Sequence, residues 1–235
     1  MTTSAPRPRR RGLLVAGVAL IAVIGVVLLN HRVQFLTGGM LIDVGYRLQD
    51  RLHDFDLVHH EEITPEQVWK AFTEHNHLAA SMRSRFPRSV YHPTMAMLVC
   101  MDARIDTNEL AADSRRNYYI VRTAGSVMSP EEEDMLELAV ANGVKVLLLT
   151  RHTDCAAEKV AADPAQRGRF PALVAAVDER EKRLDEFLKR PLIAERLAAG
   201  KLLIKRMLIN TSTDEVTELP AGSAPASASP SPASH

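Results

Sequence analysis

The feature that most constrains the fold is an alternation of apolar runs and helix-like segments between residues 64 and 219. Continuous apolar runs, without polar alternation, are typical of strands buried on both faces of a parallel sheet. Strands are predicted at 94–99, 118–121, 144–149 and 201–210, with an extension at 215–219. Helices are predicted at 64–82, 129–142, 171–189 and 191–199. This order predicts an α/β fold in which an open, mainly parallel sheet is flanked by helices.

Local signals mark the ends of two of these helices. Thr64 and Ser129 are each followed by a proline and then by acidic or amide residues, which is typical of a capped helix start. Gly143 follows the second helix, where a glycine commonly ends one. These signals support the helix boundaries that the apolar spacing predicts.

Both cysteines of the chain and one histidine lie just after predicted strands. Cys100 ends one apolar run, and His152 and Cys155 follow another. Because ligand crevices lie at the carboxyl ends of strands in open α/β sheets, these side chains are expected to converge. Thiolate and imidazole suit Zn²⁺, and three protein ligands leave a coordination position for water, as in a catalytic site. Alternatively, the two cysteines would form one disulfide.

A carboxylate and a guanidinium follow the first cysteine at every second position. Asp102 and Arg104 can therefore lie on the same side of the chain as the Cys100 thiol. An arginine held against a carboxylate keeps it ionised and oriented, so that the carboxylate can orient a water on the metal. Most such pairs on protein surfaces have no catalytic consequence. The neighbouring thiol favours a catalytic role here.

The N-terminus carries a basic cluster followed by an uncharged apolar run. Four arginines precede residues 12–29, a run just long enough to cross a bilayer as a helix. Because basic residues mark the cytoplasmic side, residues 1–11 are predicted in the cytoplasm, 12–30 as an uncleaved transmembrane anchor, and the rest outside. The expected protein is a single-pass protein of the cell membrane. A cleaved signal peptide and a buried core helix are the alternatives.

The remaining segments flank one predicted globular domain at 63–219. Residues 31–62 are predicted to form a juxtamembrane amphipathic helix, with Leu41, Val44, Leu48 and Leu52 at helical spacing, which packs on the domain or on a second subunit. Residues 220–235 are almost wholly Ala, Ser and Pro and are predicted to be disordered. Acidic and basic residues balance at 29 each, without a basic cluster interleaved with aromatics. This pattern excludes nucleic acid and favours a small-molecule partner.

Three motifs together resemble the β-class carbonic anhydrases, in their smaller bacterial branch. They are Cys100-x-Asp102-x-Arg104, Arg122-Thr123-Ala124-Gly125 and His152-x-x-Cys155. The resemblance covers about residues 64–219. It implies Zn²⁺ held by Cys100, His152 and Cys155, and it implies catalytic roles for Asp102 and Arg104. It also implies a substrate loop at Arg122, Thr123, Ala124 and Gly125, reversible hydration of CO₂ to bicarbonate, and a homodimer or a multiple of dimers.

The chain departs from this family pattern at three positions near the implied site. Thr123 stands where the family usually has Asn, Arg151 where it has a small residue or His, and Ala156 where it has Gly. If the family glycine has a positive φ, a side chain at Ala156 is expected to strain the turn that holds Cys155. Arg151 is expected either to add positive potential for bicarbonate or to reach solvent.

Two other functions remain open from the sequence. One is a zinc hydrolase that acts on carbonyl sulfide or carbon disulfide, which the same activated water would attack. The other is a non-catalytic tethered domain, in which zinc or a disulfide between Cys100 and Cys155 stabilises the fold. The presence of Asp102 and Arg104 beside the ligands favours an enzyme.

Overall fold

A computed structural model describes residues 9–50, 63–85, 92–111 and 118–219. The predicted disordered tail at 220–235, most of the basic N-terminus and residues 51–62 of the juxtamembrane segment lie outside this description. The chain divides into two compact units, residues 1–88 and 89–235. The first unit contains the helix Pro65–Arg85, which the sequence assigned to the globular domain.

Helices make up the described part of the first unit. They are α1 (Arg9–Leu29), α2 (His31–Asp50) and α3 (Pro65–Arg85). Asn30 separates α1 from α2, and its side chain accepts hydrogen bonds from the backbone N–H groups of Arg32 and Val33 at 3.0 and 3.2 Å. A capping box starts α3, in which Thr64 and Gln67 exchange side chain-to-backbone hydrogen bonds at 2.7 and 3.3 Å. The predicted helix at 64–82 is confirmed.

In the described residues no single helix has the length and hydropathy of a membrane span. The segments Val15–Val26 and His31–Gln49, which meet at a bend of 99°, reach that length and hydropathy only when they are taken together.

A five-stranded sheet forms the centre of the second unit. Its strands are β1 (Met95–Cys100), β2 (Tyr118–Thr123), β3 (Val146–His152), β4 (Leu203–Ile209) and β5 (Val216–Glu218). The spatial order is β2-β1-β3-β4-β5. The first four strands are parallel, and β5 pairs antiparallel with β4 at one edge. The predicted α/β fold with a mainly parallel sheet is confirmed.

Seven α-helices and one 3₁₀ turn belong to the described part of the second unit. The α-helices are α4 (Thr107–Ala111), α5 (Pro130–Ala141), α6 (Ala156–Ala162), α7 (Pro164–Arg167), α8 (Pro171–Asp178), α9 (Arg180–Leu188) and α10 (Pro191–Ala198). The predicted continuous helix at 171–189 is wrong, because Glu179 interrupts it with a ψ of −1° and separates α8 from α9. The apolar pattern continues through this bend, so the pattern does not reveal it.

The sheet is buried by apolar clusters on both faces. Ala96 and Leu98 of β1 belong to one cluster, together with α5, α9 and α10, which contribute Leu136, Phe187 and Ile193. Met97 and Val99, which alternate with them along β1, belong to a second cluster that includes Cys100, Cys155 and Ile209. This double burial explains why β1 reads as a continuous apolar run. Both cysteines belong to the second cluster.

Candidate metal centre

Two neighbouring parallel strands and the start of a helix bring the predicted ligands together. Cys100 is the last residue of β1, His152 is the last residue of β3, and Cys155 is the N-cap of α6. One sulfur or nitrogen atom from each residue lies within 4.8 Å of the other two, and all three residues are buried. Both cysteines are free thiols. His152 lies within β3, whereas the sequence had predicted that the strand ends before it.

The His152 ring is oriented by the backbone beside it. Its Nδ1 lies 2.9 Å from the carbonyl oxygen of Thr153, and because a carbonyl only accepts, Nδ1 carries the proton. The other ring nitrogen, Nε2, is then a lone-pair donor, and it is buried without a hydrogen-bond partner. A buried polar atom in this state indicates a missing partner. A metal ion would supply that partner, and the second-shell carbonyl fixes the tautomer that a ligand needs.

The two thiols share one hydrogen bond. This bond lowers the pKa of Cys100 and raises the pKa of Cys155. The backbone N–H of Gly125 also donates to the Cys100 sulfur, at 3.3 Å. Zinc binding needs both cysteines as thiolates, so loading would release the Cys155 proton. Two thiolates, one free imidazole nitrogen and full burial fit Zn²⁺, with one coordination position left for water.

Asp102 and Arg104 form the predicted pair. The Arg104 Nε and Nη2 atoms donate to the two Asp102 carboxylate oxygens at 3.0 and 2.8 Å. The backbone N–H of Arg104 also donates to Asp102, at 3.0 Å. These hydrogen bonds lower the pKa of Asp102 to about 2. The carboxylate is therefore ionised at any physiological pH and is fixed in orientation.

Arg104 also reaches the second ligand motif, a contact that the sequence did not predict. Its Nη1 and Nη2 donate to the carboxylate and the backbone carbonyl of Asp154, at 3.1 and 3.2 Å. Asp154 has a φ of 62°, in the left-handed region. The only sequence signal is its place between His152 and Cys155. Arg104 thus connects the loop after β1 with the loop after β3.

The predicted substrate loop lies beside the metal ligands. Arg122 donates to the backbone carbonyls of Cys100 and Ile105, at 3.3 and 2.6 Å, so its guanidinium holds the loop after β1. Thr123 ends β2 in extended conformation, and Ala124 begins a short 3₁₀ turn that contains Gly125. The Thr123 hydroxyl is buried without a hydrogen-bond partner. Gly125 contacts the Cys100 sulfur itself, whereas Arg122 contacts only the backbone of Cys100.

The structure corrects two expectations about the departures from the family pattern. Ala156 begins α6, and the positive φ lies at Asp154 instead, so the expected strain at Ala156 is wrong. Arg151 is only 8% exposed, and its Nε and Nη2 each donate to Glu158 at 3.0 Å. The expected reach of Arg151 to solvent is wrong, and Glu158 offsets the charge that was expected to attract bicarbonate.

Glu158 is the centre of an ion-pair network that the sequence did not reveal. Arg180 Nη1 donates to Glu158 at 2.6 Å, and Arg180 Nη2 donates to the carbonyl of Gly125 at 2.7 Å. Burial works to raise the pKa of Glu158, but Arg151 and Arg180 outweigh it and the pKa is lowered. The network joins β3, α6 and α9 to the turn that contacts Cys100. No short motif links these residues, because they come from distant parts of the chain.

A family model and a relative of similar sequence both point to the carbonic anhydrases. A family model described as carbonic anhydrase matches residues 95–216, just over half of the chain. Carbonic anhydrase 2 of Mycobacterium tuberculosis (strain CDC 1551 / Oshkosh) is 27% identical over 177 residues, covering 60% of this chain and 86% of that protein.

Solved structures with similar folds include two carbonic anhydrases. A tetrameric β-carbonic anhydrase of the filamentous ascomycete Sordaria macrospora has a TM-score of 0.49 and 19% identity, covering 68% of this chain and 100% of that one. The carbonic anhydrase of Streptococcus mutans has a TM-score of 0.48 and 21% identity, covering 64% of this chain and 96% of that one. The family match includes Cys100, His152 and Cys155, and the chain belongs to the carbonic anhydrase family.

Proposed function

We propose that this carbonic anhydrase is a β-class enzyme that uses one Zn²⁺ for the reversible hydration of CO₂ to bicarbonate. The observation that carries the proposal is the buried set of Cys100, His152 and Cys155, whose donor atoms lie within 4.8 Å of one another. When bound, zinc supplies a water that is acidic enough to act as a nucleophile near neutral pH. The free Nε2 of His152 and the thiolate character of Cys100 support this ligand set.

In this proposal Asp102 orients the nucleophile and Arg104 orients Asp102. A carboxylate that is ionised and held by two parallel N–H donors can accept a hydrogen bond from the attacking water without moving. Arg104 is itself held by Asp154, so the carboxylate has little freedom to turn away. This arrangement favours attack on a small electrophile such as CO₂.

The test compares Asp102→Asn with the wild-type chain. Asparagine keeps the shape but removes the charge, so we expect CO₂ hydration to fall about 100-fold while zinc content stays at one per chain. Asp185→Asn, an exposed carboxylate on α9, is the matched control and should leave the rate unchanged. Cys155→Ser should lose both zinc and activity, because it removes a ligand. A zinc-loaded wild-type chain that does not hydrate CO₂ would contradict the proposal, even if it hydrolyses carbonyl sulfide.

We also propose that the chain is anchored in the cell membrane by residues 12–30, with the N-terminus in the cytoplasm and the catalytic domain outside. Support comes from the arginines that precede the run and from the apolar side chains of α1, which include exposed Val15, Val18 and Ile21. Assembly as a homodimer or a multiple of dimers is part of the same proposal and rests on the resemblance to the β class.

A further inference from the structure

The turn at Gly125 is held from two sides. On one side its backbone N–H donates to the Cys100 sulfur at 3.3 Å, and on the other its carbonyl accepts from Arg180 at 2.7 Å. Gly125 has a φ of 66°, and an added Cβ would lie 3.1 Å from the Cβ of Ala157. A small movement of this turn would therefore lengthen the hydrogen bond to the sulfur.

Arg180 is itself oriented by buried charges. The Arg180 side chain is 14% exposed and donates to Glu158, whose side chain is 18% exposed and is also bound by Arg151. The planar guanidinium of Arg180 spans both acceptors, the Glu158 carboxylate and the Gly125 carbonyl, in one fixed geometry. Arg151 precedes the ligand His152 on β3, and Glu158 follows the ligand Cys155 on α6. The network thus joins the segments that carry all three ligands.

Hydrogen bonds to a ligand atom tune the metal that it binds. An N–H that donates to a thiolate withdraws electron density from the sulfur and fixes the direction of its remaining lone pairs. We propose that Arg180 is a positioning residue that, held by Glu158 and Arg151, fixes the Gly125 N–H on the Cys100 sulfur and thereby tunes Cys100 as a metal ligand. This inference rests on the proposed function only in requiring that a metal binds Cys100.

The first experiment replaces zinc by Co²⁺ in the full chain and compares Arg180→Met with the wild type. Weakening the N–H to sulfur hydrogen bond raises the energy of the sulfur lone pair. We therefore expect the thiolate-to-cobalt charge-transfer band to move to longer wavelength. In the zinc form, we expect transfer of zinc to a chelator to become about tenfold faster. Hydrogen exchange at the Gly125 amide should also become faster.

The matched control is Arg183→Met, on the same helix. Arg183 also pairs with a buried glutamate, Glu133, at 3.3 Å, and the structure gives it no hydrogen bond to the turn at Gly125. This variant loses a comparable ion pair, so it should lower stability without moving the cobalt band. An equal band shift in Arg183→Met would overturn the proposal, because the effect would then be a general loosening of the domain.

The Arg180→Lys variant tests the positioning role of Arg180 if Arg180→Met does not fold. A lysine keeps the positive charge beside Glu158 but lacks the planar guanidinium that spans both acceptors. We therefore expect a folded protein whose thiolate-to-cobalt band lies at longer wavelength than that of the wild type. A wild-type band position and a wild-type Gly125 exchange rate in Arg180→Lys would overturn the proposal. A wild-type chain that binds cobalt but is inert toward CO₂ would refute the proposed function alone. A wild-type chain that binds no cobalt would refute both.

Discussion

At the scale of single residues, Arg104 connects two ligand motifs through Asp102 and Asp154. Asp154 keeps a left-handed backbone, which Asn adopts as readily as Asp. We expect Asp154→Asn to keep zinc and to lower CO₂ hydration only about two- to fivefold, because an exposed ion pair contributes little. Steady-state kinetics on the zinc-loaded chain check this, and a loss as large as that of Asp102→Asn would show that Asp154 acts on the nucleophile.

The structure predicts that Ala156→Gly relieves no strain, whereas the sequence had suggested a strained turn at Ala156. Because Ala156 begins α6 without a positive φ, glycine relieves no strain there. Ala156→Gly should lower the free energy of unfolding by about 0.5–1 kcal/mol, since glycine is the less favourable residue in a helix. Activity should stay at the wild-type level. Chemical denaturation and a CO₂ hydration assay measure the two effects, and a gain in activity would mean that the turn is strained after all.

The lowered pKa of Asp102 predicts how the free energy of unfolding depends on pH. The folded-state pKa of Asp102 is lowered to about 2 by Arg104, so the carboxylate is stabilised in the folded protein. That stabilisation is fully present above the unfolded pKa of about 3.9 and is lost as pH falls through the folded value. In the metal-free chain, the difference in unfolding free energy between wild type and Asp102→Asn should be constant above pH 5 and should decrease between pH 4 and pH 2. A constant difference across this range would contradict the pairing with Arg104.

The convergence of the three candidate ligands could be predicted from the sequence, but the residues that surround and orient them could not. Cys100 and His152 end strands and Cys155 follows three residues later, and thiols and imidazoles are typical metal ligands, so position and residue type together are informative. Glu158 and Arg180 are common surface residue types, and Arg180 contacts Gly125 from 55 positions away. Only the packing of α9 against the sheet brings them together, and no local pattern encodes that packing.

At the scale of elements, α5 illustrates a boundary that the sequence predicts well. Ser129 accepts from the Glu131 N–H at 3.2 Å, and Glu132 accepts from the Ser129 N–H at 2.8 Å. Ser129→Ala should lower the free energy of unfolding by about 1 kcal/mol, because it leaves an N–H of the first helical turn without a partner. Denaturation of the zinc-loaded chain measures this, with Ser129→Asn as a control that retains a capping side chain.

The short helices were not predictable in the same way. The start of α6 has Cys155 as its N-cap, with no side-chain capping hydrogen bond, so the sequence carries no start signal there. Strand β1 was better predicted, since burial on both faces by two apolar clusters makes its sequence continuously apolar. The end of β3 was placed too early, because Thr150, Arg151 and His152 are polar yet buried.

At the scale of the whole molecule, membrane topology gives a further prediction. The arginines ahead of residue 12 are expected to hold the N-terminus in the cytoplasm. A reporter that is active only in the cytoplasm, fused after Leu219, should therefore be silent, and one that is active only outside should give a signal. The reverse result would invert the orientation. A released protein that begins near residue 30 would show that the run is a cleaved signal peptide.

The closeness of the two free thiols has a consequence for how the enzyme matures. Their sulfur atoms lie within 4.8 Å of each other, so oxidation needs little movement of the chain to join Cys100 and Cys155. If the catalytic domain lies outside the cytoplasm, as proposed above, zinc and oxidants would compete there for the same pair of thiols. The order of zinc binding and oxidation in that compartment would then decide what fraction of the molecules can bind zinc.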